Sequence, residues 1–205
     1  MTLPSRRALL MAAAAIVAAA LLGTGAWFWH FSGQHRALSA YAAALTQAQP
    51  AQSPQATPDA REAAIRALES ALTQYPAGPG AAEVAYQLGN LRFEAQQYAQ
   101  ARGAWELAVA QGATRTLKAL SLGGVAYTWE AERNYQKAVE AFKTALTGVG
   151  PKDFYYEELL LGLGRTQELA GQKAEAIATY RRALSELTQS RRAEEIRARL
   201  AALGA

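Results

Sequence analysis

YAQARGAWELA, at residues 98–108, recurs with the same residue classes as YQKAVEAFKTA at 135–145 and as KAEAIATYRRA at 173–183. The copies begin 37 and 38 residues apart, and a half copy around Leu68 precedes them. A repeat of this length is typical of a solenoid, in which each unit stacks on its neighbours to bury a shared core. The sequence therefore predicts an all-α repeat protein.

The spacing of small and aromatic residues within each copy explains the repeat. Ala101, Trp105 and Ala108 lie at i, i+4 and i+7, so all three side chains share one face of a helix. The two alanines let a neighbouring backbone approach closely, and the ring between them fills the remaining gap. Upstream in the unit, the glycine of Leu88-Gly89 has the same role on the partner helix.

This pattern resembles the tetratricopeptide repeat, which has Leu-Gly in its helix A and Tyr-x-x-Ala-x-x-x-aromatic-x-x-Ala in its helix B. The resemblance covers about 59–188, in roughly three and a half repeats. The step of 37 or 38 residues exceeds the 34 of the family, and the tryptophan of helix A is missing. The closing proline is in place only at Pro76, with Pro151 one residue late. The longer step predicts longer turns between repeats and the same fold.

An uncharged run extends from Ala8 to Trp29 and follows two arginines, Arg6 and Arg7. As a helix the run would span roughly 33 Å, enough to cross a hydrocarbon core of about 30 Å. Aromatic residues close the run, as is common where a membrane helix reaches the headgroups. The sequence therefore predicts a transmembrane anchor over 8–31.

The arginines around the predicted anchor indicate its orientation. Two precede it and only Arg36 follows closely, which favours a cytoplasmic N-terminus over 1–7. The repeats would then lie outside the cytoplasm, in the periplasm of a Gram-negative bacterium. A cleaved signal peptide ending near Ala26, or a twin-arginine export signal, is the alternative interpretation. The length of the run and its aromatic end favour a retained anchor at the inner membrane.

The remaining chain divides into a helix, a linker, the repeats and a cap. Residues 34–49 have a helical apolar pattern and are assigned to a degenerate first repeat. The three prolines of 50–58 predict an exposed linker without helix or strand, which ends at a helix start after Thr57. The repeats follow over 59–189. A final helix within 190–205 is expected to cap the open end of the solenoid.

No catalytic, cofactor or metal site can be assembled from the sequence. The chain has no cysteine, and its two histidines, His30 and His35, lie beside the predicted anchor. The net charge of +4 is modest and mixed along the helices, which argues against a nucleic-acid partner. The glycines Gly162 and Gly164 lie inside a helical pattern, not after a strand, so a phosphate loop is excluded. The prediction is a protein that is not an enzyme and uses no small-molecule substrate.

A repeat solenoid offers a concave face lined by its A helices. Transfer of the repeat register to this chain gives seven candidate protein-binding residues. They are Tyr86, Asn90, Phe93, Tyr127, Glu130, Arg165 and Glu168. For each ring among them, packing in the core between helices is an equally good interpretation. Asn90 matches one position of the carboxylate clamp of some tetratricopeptide domains, but Tyr86 stands where a lysine is required, so no clamp is predicted.

The whole arrangement resembles the single-span, periplasm-facing tetratricopeptide proteins that accompany the bacterial protein-export translocon, the YfgM type. In that family a short anchor leads into a few repeats, and a helix with an Arg/Leu/Ala pattern, here at 197–203, closes the chain. The resemblance implies a non-catalytic adaptor that binds translocon subunits, chaperones or other envelope proteins near the membrane. The alternative from another class is a self-associating scaffold of a division or trans-envelope complex, of the Tol-Pal type.

Overall fold

A computed structural model describes residues 6–205, except for the side chains of 8–10, 12–15, 17–18 and 25–31. Over the described residues the protein is entirely helical, with nine α-helices and one 3-10 helix. The helices are α1 (Arg6–Ala48), η1 (Gln49–Gln52), α2 (Pro58–Gln74), α3 (Ala81–Glu94), α4 (Tyr98–Ala110), α5 (Arg115–Ala131), α6 (Tyr135–Ala145), α7 (Tyr156–Leu169), α8 (Lys173–Glu186) and α9 (Ala193–Ala202). The all-α prediction is confirmed for this part of the chain.

The helices form pairs that stack in chain order. The C-terminal part of α1 pairs with α2, and the pairs α3/α4, α5/α6 and α7/α8 follow. Each pair packs on the next, and α9 packs on α8 at the end of the stack. Helix α3 also contacts α1 and α5, so the first helices of these pairs, the A helices, lie side by side. With α1 included, the described residues contain four complete pairs and not three and a half.

The packing positions of the repeat lie where the sequence predicts them. Trp105 and Phe142 are 4% and 0% exposed. The Trp105 ring fits against Gly89 and Gly124, and the Phe142 ring fits against Gly162. A Cβ atom on Gly89 would lie 2.5 Å from the Trp105 indole, and one on Gly124 would lie 2.7 Å from it. Such distances are too short for any side chain, so these glycines allow the rings to fill the space between pairs.

The segment predicted as an anchor and the helix of the first repeat form one continuous helix, α1. Among the residues that the structure describes, no helix is both long and apolar enough to cross a membrane. The structure therefore gives no support to the transmembrane prediction for 8–31, a stretch whose side chains are only partly described. Met1–Ser5, in the predicted cytoplasmic terminus, lie outside the described residues.

The predicted linker at 50–58 is more ordered than its prolines suggest. It begins within the 3-10 helix η1, and Ala51 is only 2% exposed in the core shared by the first two pairs. The expectation that prolines exclude helix is wrong here, because a proline in the first turn of a helix has no amide hydrogen bond to lose. The predicted helix start is confirmed, since Thr57 Oγ1 accepts a hydrogen bond from the amide of Ala60 at 3.2 Å.

Candidate protein-binding face

Three predicted residues lie on α3 and line a cleft of about 340 Å³. Trp105 Nε1 donates a hydrogen bond to Asn90 Oδ1 at 3.2 Å, so Asn90 satisfies the indole of a buried ring. The Phe93 ring packs 5.9 Å from the Trp105 ring, between centroids. Asn90 and Phe93 are therefore held by the core around Trp105. Tyr86 is half-buried in the same cleft, and its hydroxyl has no hydrogen-bond partner among the described residues.

Three further predicted residues come together where α5 meets α7. The guanidinium of Arg165 donates to the carboxylate of Glu130 at 2.9 Å and lies 5.7 Å from the centroid of the Tyr127 ring. The Tyr127 hydroxyl donates to Glu158 Oε1 at 2.7 Å. Burial, and then the hydrogen bond to Glu158, raises the pKa of Tyr127 well above its usual value, so this phenol remains a donor. This group joins the third and fourth pairs.

Glu168, the last predicted residue, lies on α7 one turn after Arg165. Its carboxylate accepts hydrogen bonds from the Tyr180 hydroxyl and, at 3.3 Å, from Arg199 of α9. Arg192, just before α9, donates to Glu158 at 2.6 Å. The cap helix is therefore attached to the A helix of the last pair through two ion pairs.

Two aromatic residues before α7 were missed by the sequence reasoning. Tyr155 packs against α5 where Gly123 leaves space, since a Cβ atom there would lie 3.4 Å from the Tyr155 ring. The pKa of Tyr155 is raised to about 12, first of all by burial and then by the nearby phenol of Tyr86 and carboxylate of Glu158. Phe154 is 93% exposed and lines, with Tyr155, a second cleft of about 340 Å³. The signal available in the sequence was the long segment between the third and fourth repeats.

The segment that carries Phe154 is held in place by Asp153. The amide of Gly150 donates to Asp153 Oδ2 at 2.8 Å, and Arg115 of the preceding pair forms an ion pair with the same carboxylate. The exposed ring is therefore presented from an ordered segment. We use the term A-helix face for the surface that carries Tyr86, Tyr127, Tyr155 and Phe154.

The described residues contain no group of three or more His, Asp or Glu side chains that could hold a metal ion. Two more spaces lie away from the A-helix face. One, of about 470 Å³, lies between α1 and the segment 74–79, and the other, of about 440 Å³, lies at the turn between α5 and α6. Neither contains a residue of the predicted binding set.

Comparison with known proteins identifies the fold. No protein-family model matches the chain, and no curated protein matches it significantly. Among solved structures, the crystal structure of MamA protein superposes with a TM-score of 0.52 at 21% sequence identity. The match covers 62% of this chain and 63% of the MamA chain, so the chain spans less than two thirds of the length of that relative. MamA is a helical repeat protein of the tetratricopeptide type, and the likeness confirms an α-solenoid of that type for the repeats.

Proposed function

We propose that this chain is a non-catalytic protein-binding adaptor that holds a segment of a partner protein on its A-helix face. The observation that supports this proposal is a pair of clefts, one lined mainly by side chains of α3 and the other by the start of α7 and the residues just before it. Five aromatic rings line these clefts, and aromatic side chains bury large contact areas at low entropic cost. A row of stacked pairs also gives a partner segment an extended surface to follow.

Within this proposal the predicted residues have two roles. Tyr86 and Tyr127 contribute rings that a partner can contact. Glu130 and Arg165 hold the surface in shape, because each satisfies the charge of the other across two pairs. Asn90 and Phe93 fix the shape of the first cleft through their contacts with the buried Trp105 ring.

The location of the adaptor is proposed from the sequence of 6–29. We infer a bacterial inner-membrane protein with its N-terminus in the cytoplasm and its repeats in the periplasm. Its partners would be translocon subunits, periplasmic chaperones or other envelope proteins, as for the YfgM type. Because α1 runs without a break into the first pair, a membrane-embedded start of α1 would hold the first repeat at the bilayer surface.

Photo-crosslinking in membranes tests the adaptor proposal. A photoreactive benzoylphenylalanine at Gln87, on the A-helix face, is compared with one at Glu140, an exposed position of α6. We expect one defined protein, identified by mass spectrometry, to be captured from Gln87 and to be absent from the Glu140 sample. Equal capture from both positions, or none from Gln87, would refute the proposal.

Self-association is the second candidate function, and the exposure of Phe154 favours it. A large apolar side chain that is 93% exposed on an ordered segment is a common feature of protein interfaces. Light scattering on the full-length chain separates the two candidates. An oligomer that persists on dilution and dissociates in the Phe154→Ser variant favours a scaffold. A monomeric wild-type chain favours the adaptor.

A further inference from the structure

The loops between consecutive pairs lie on one edge of the stack, because helices joined by short turns run in opposite directions. The Tyr41 hydroxyl donates to the carbonyl of Tyr75, which places the end of α2 beside α1. Gln111, just after α4, donates to the carbonyl of Pro76 at 2.9 Å. The end of α4 therefore lies at the same level as the loop that joins the first two pairs.

The same edge continues to the last pair. Arg115, the first residue of α5, forms an ion pair with Asp153 at 2.5 Å, so the segment before α7 lies beside the start of α5. We use the term loop edge for the surface formed by the residues 75–80, 111–114 and 146–155. Phe154, with its 93% exposed ring, lies where the A-helix face meets the loop edge.

The N-terminal half of α1 projects from the loop edge. A Cβ atom on Gly78 would lie 3.4 Å from the Cβ atom of Ala37, so α1 passes this loop at Ala37, its first buried residue among those described. Before that point the described apolar side chains of α1 have no cover. They are 68% to 76% exposed and include Met11, Ile16, Leu21 and Leu22. The exposed apolar half of α1 and the exposed ring of Phe154 therefore share one edge of the protein.

The charges near Phe154 suit a membrane surface with anionic lipids. Lys152 is exposed and forms no ion pair within residues 6–205, whereas Arg115 neutralises Asp153. Glu157, which lines the cleft beside Phe154, accepts a hydrogen bond from Ser190 at 2.5 Å. An exposed aromatic ring next to an unpaired cation is typical of protein surfaces that enter the lipid headgroup region.

We infer that the loop edge lies on the membrane surface and that Phe154 inserts its ring among the lipid headgroups. This inference rests on the proposed membrane location of the start of α1 and adds a second contact, made by the last pair. The two contacts lie at opposite ends of the stack. Together they fix the tilt of the repeats, whereas a single anchor leaves the repeats free to swing.

A second copy of the chain is a less suitable occupant for this ring. A specific interface between proteins buries an area of roughly 1,000 Å² or more in complementary surfaces. Among the described residues after α1, only Phe154 and Leu169 are large, apolar and exposed, and Leu169 lies at the opposite edge, beside the turn between α5 and α6. One ring is a small basis for a protein interface, but lipid needs no complementary surface to receive it.

The test measures the distance of the loop edge from lipid. The chain contains no cysteine, so one introduced cysteine carries a fluorophore at a single place. The full-length protein is reconstituted in vesicles of phosphatidylethanolamine and phosphatidylglycerol, with or without a lipid that has a nitroxide quencher on its headgroup. The labelled variants are Ala77→Cys beside α1, Pro151→Cys beside Phe154, and Ala99→Cys at the opposite edge, and all three positions are exposed. We expect quenching at 77 and 151 and little at 99.

A second change in the Pro151→Cys protein tests the ring itself. Phe154→Ser should reduce quenching at 151 to the level found at 99, and Phe154→Trp should preserve it, because tryptophan also favours the headgroup region. The thermal midpoint of Phe154→Ser should equal that of the parent, since the exposed ring contributes little to the core. Leu169→Ser is the matched control. It removes an exposed apolar side chain from the opposite edge and should leave quenching at 151 unchanged.

The inference is overturned if quenching at 151 is no stronger than at 99, or if Phe154→Ser does not reduce it. If 77 is still quenched in either case, the start of α1 lies at the membrane and only the second contact is wrong. If 77 is also not quenched, the proposed membrane location is wrong as well. Undiminished quenching in Phe154→Ser, together with dissociation of an oligomer in light scattering, would assign the ring to a second copy.

Discussion

Small buried side chains decide how closely the pairs approach, and Ala138 in α6 is the central example. It is completely buried, at the position that the repeat assigns to close helix approach. We expect Ala138→Leu to lower the free energy of unfolding by about 1–3 kcal/mol or more, because the added atoms overpack the third pair. Urea denaturation measures the loss. Ala99→Leu, at an exposed position of α4, should change the stability by less than about 0.5 kcal/mol. Equal effects of the two changes would contradict the register.

The half-buried phenol of Tyr155 predicts how stability responds to alkaline pH. Its pKa in the folded protein is about 12 and is raised above the usual value, first of all by burial. The unfolded chain therefore loses this proton first, and stability that is complete below pH 10 falls as the pH rises towards 12. Tyr155→Phe cannot ionise and should show a shallower decline. Urea midpoints between pH 9 and pH 11.5 give the comparison, and identical declines would show that Tyr155 is not shielded in solution.

At the residue scale the sequence predicts the roles of side chains at the repeated positions, and few others. Trp105 and Phe142 could be assigned to the core because three copies place an aromatic residue between two alanines. The role of Phe93 could not be decided, since its packing on Trp105 depends on the orientation of two helices. Tyr155 lies outside the repeated pattern, in a segment without equivalents. Its position against Gly123 follows from the backbone path of that segment, which the sequence does not specify.

The turns within the last three pairs share a left-handed backbone conformation, which glycine adopts more easily than the other residue types found there. Gln96 and Arg133 have φ of 59°, in the left-handed region, and Gly171 has φ of 74° at the equivalent place in the last pair. Residues other than glycine adopt this region at a cost of roughly 1–2 kcal/mol. We expect Arg133→Gly to raise the stability by up to about 1 kcal/mol and Gly171→Ala to lower it by about 1 kcal/mol. Thermal denaturation of both variants provides the measurement, and a loss of stability in Arg133→Gly would refute this explanation.

At the scale of elements the predicted boundaries hold where a helix signal and a turn signal coincide. The start of α2 after Thr57 is such a place, because a capping hydroxyl and a proline act together. The N-terminal region had no such pair of signals. Gly33 alone does not end a helix, so α1 continues through the boundary that the change in composition suggested. Ala51 is buried because a tertiary contact in the first pairs stabilises the proline-containing turn to which it belongs.

At the scale of the molecule each pair is stabilised by its neighbours, so the end of the stack depends on its cap. Helix α9 buries Ile196 completely against the last pair. Arg199 of α9 and Arg192 just before it form ion pairs with glutamates of α7. In a solenoid the contacts are between nearest neighbours, so damage at one end should spread little to the other. The cap therefore offers a way to separate local from global unfolding.

Ile196→Ala should lower the stability of the last pair by about 2–4 kcal/mol, because it leaves a cavity where a buried side chain packs. Hydrogen exchange is expected to accelerate in α7, α8 and α9 and to remain unchanged in α3 and α4, which pack on each other and on α1, α2 and α5. Arg197→Ala is the control, since its ion pair with Glu194 is solvent-exposed and contributes little. Uniform acceleration across all pairs would show that the stack unfolds as one cooperative unit. In that case the A-helix face could not change locally without unfolding of the whole domain, and partner binding would stabilise every pair alike.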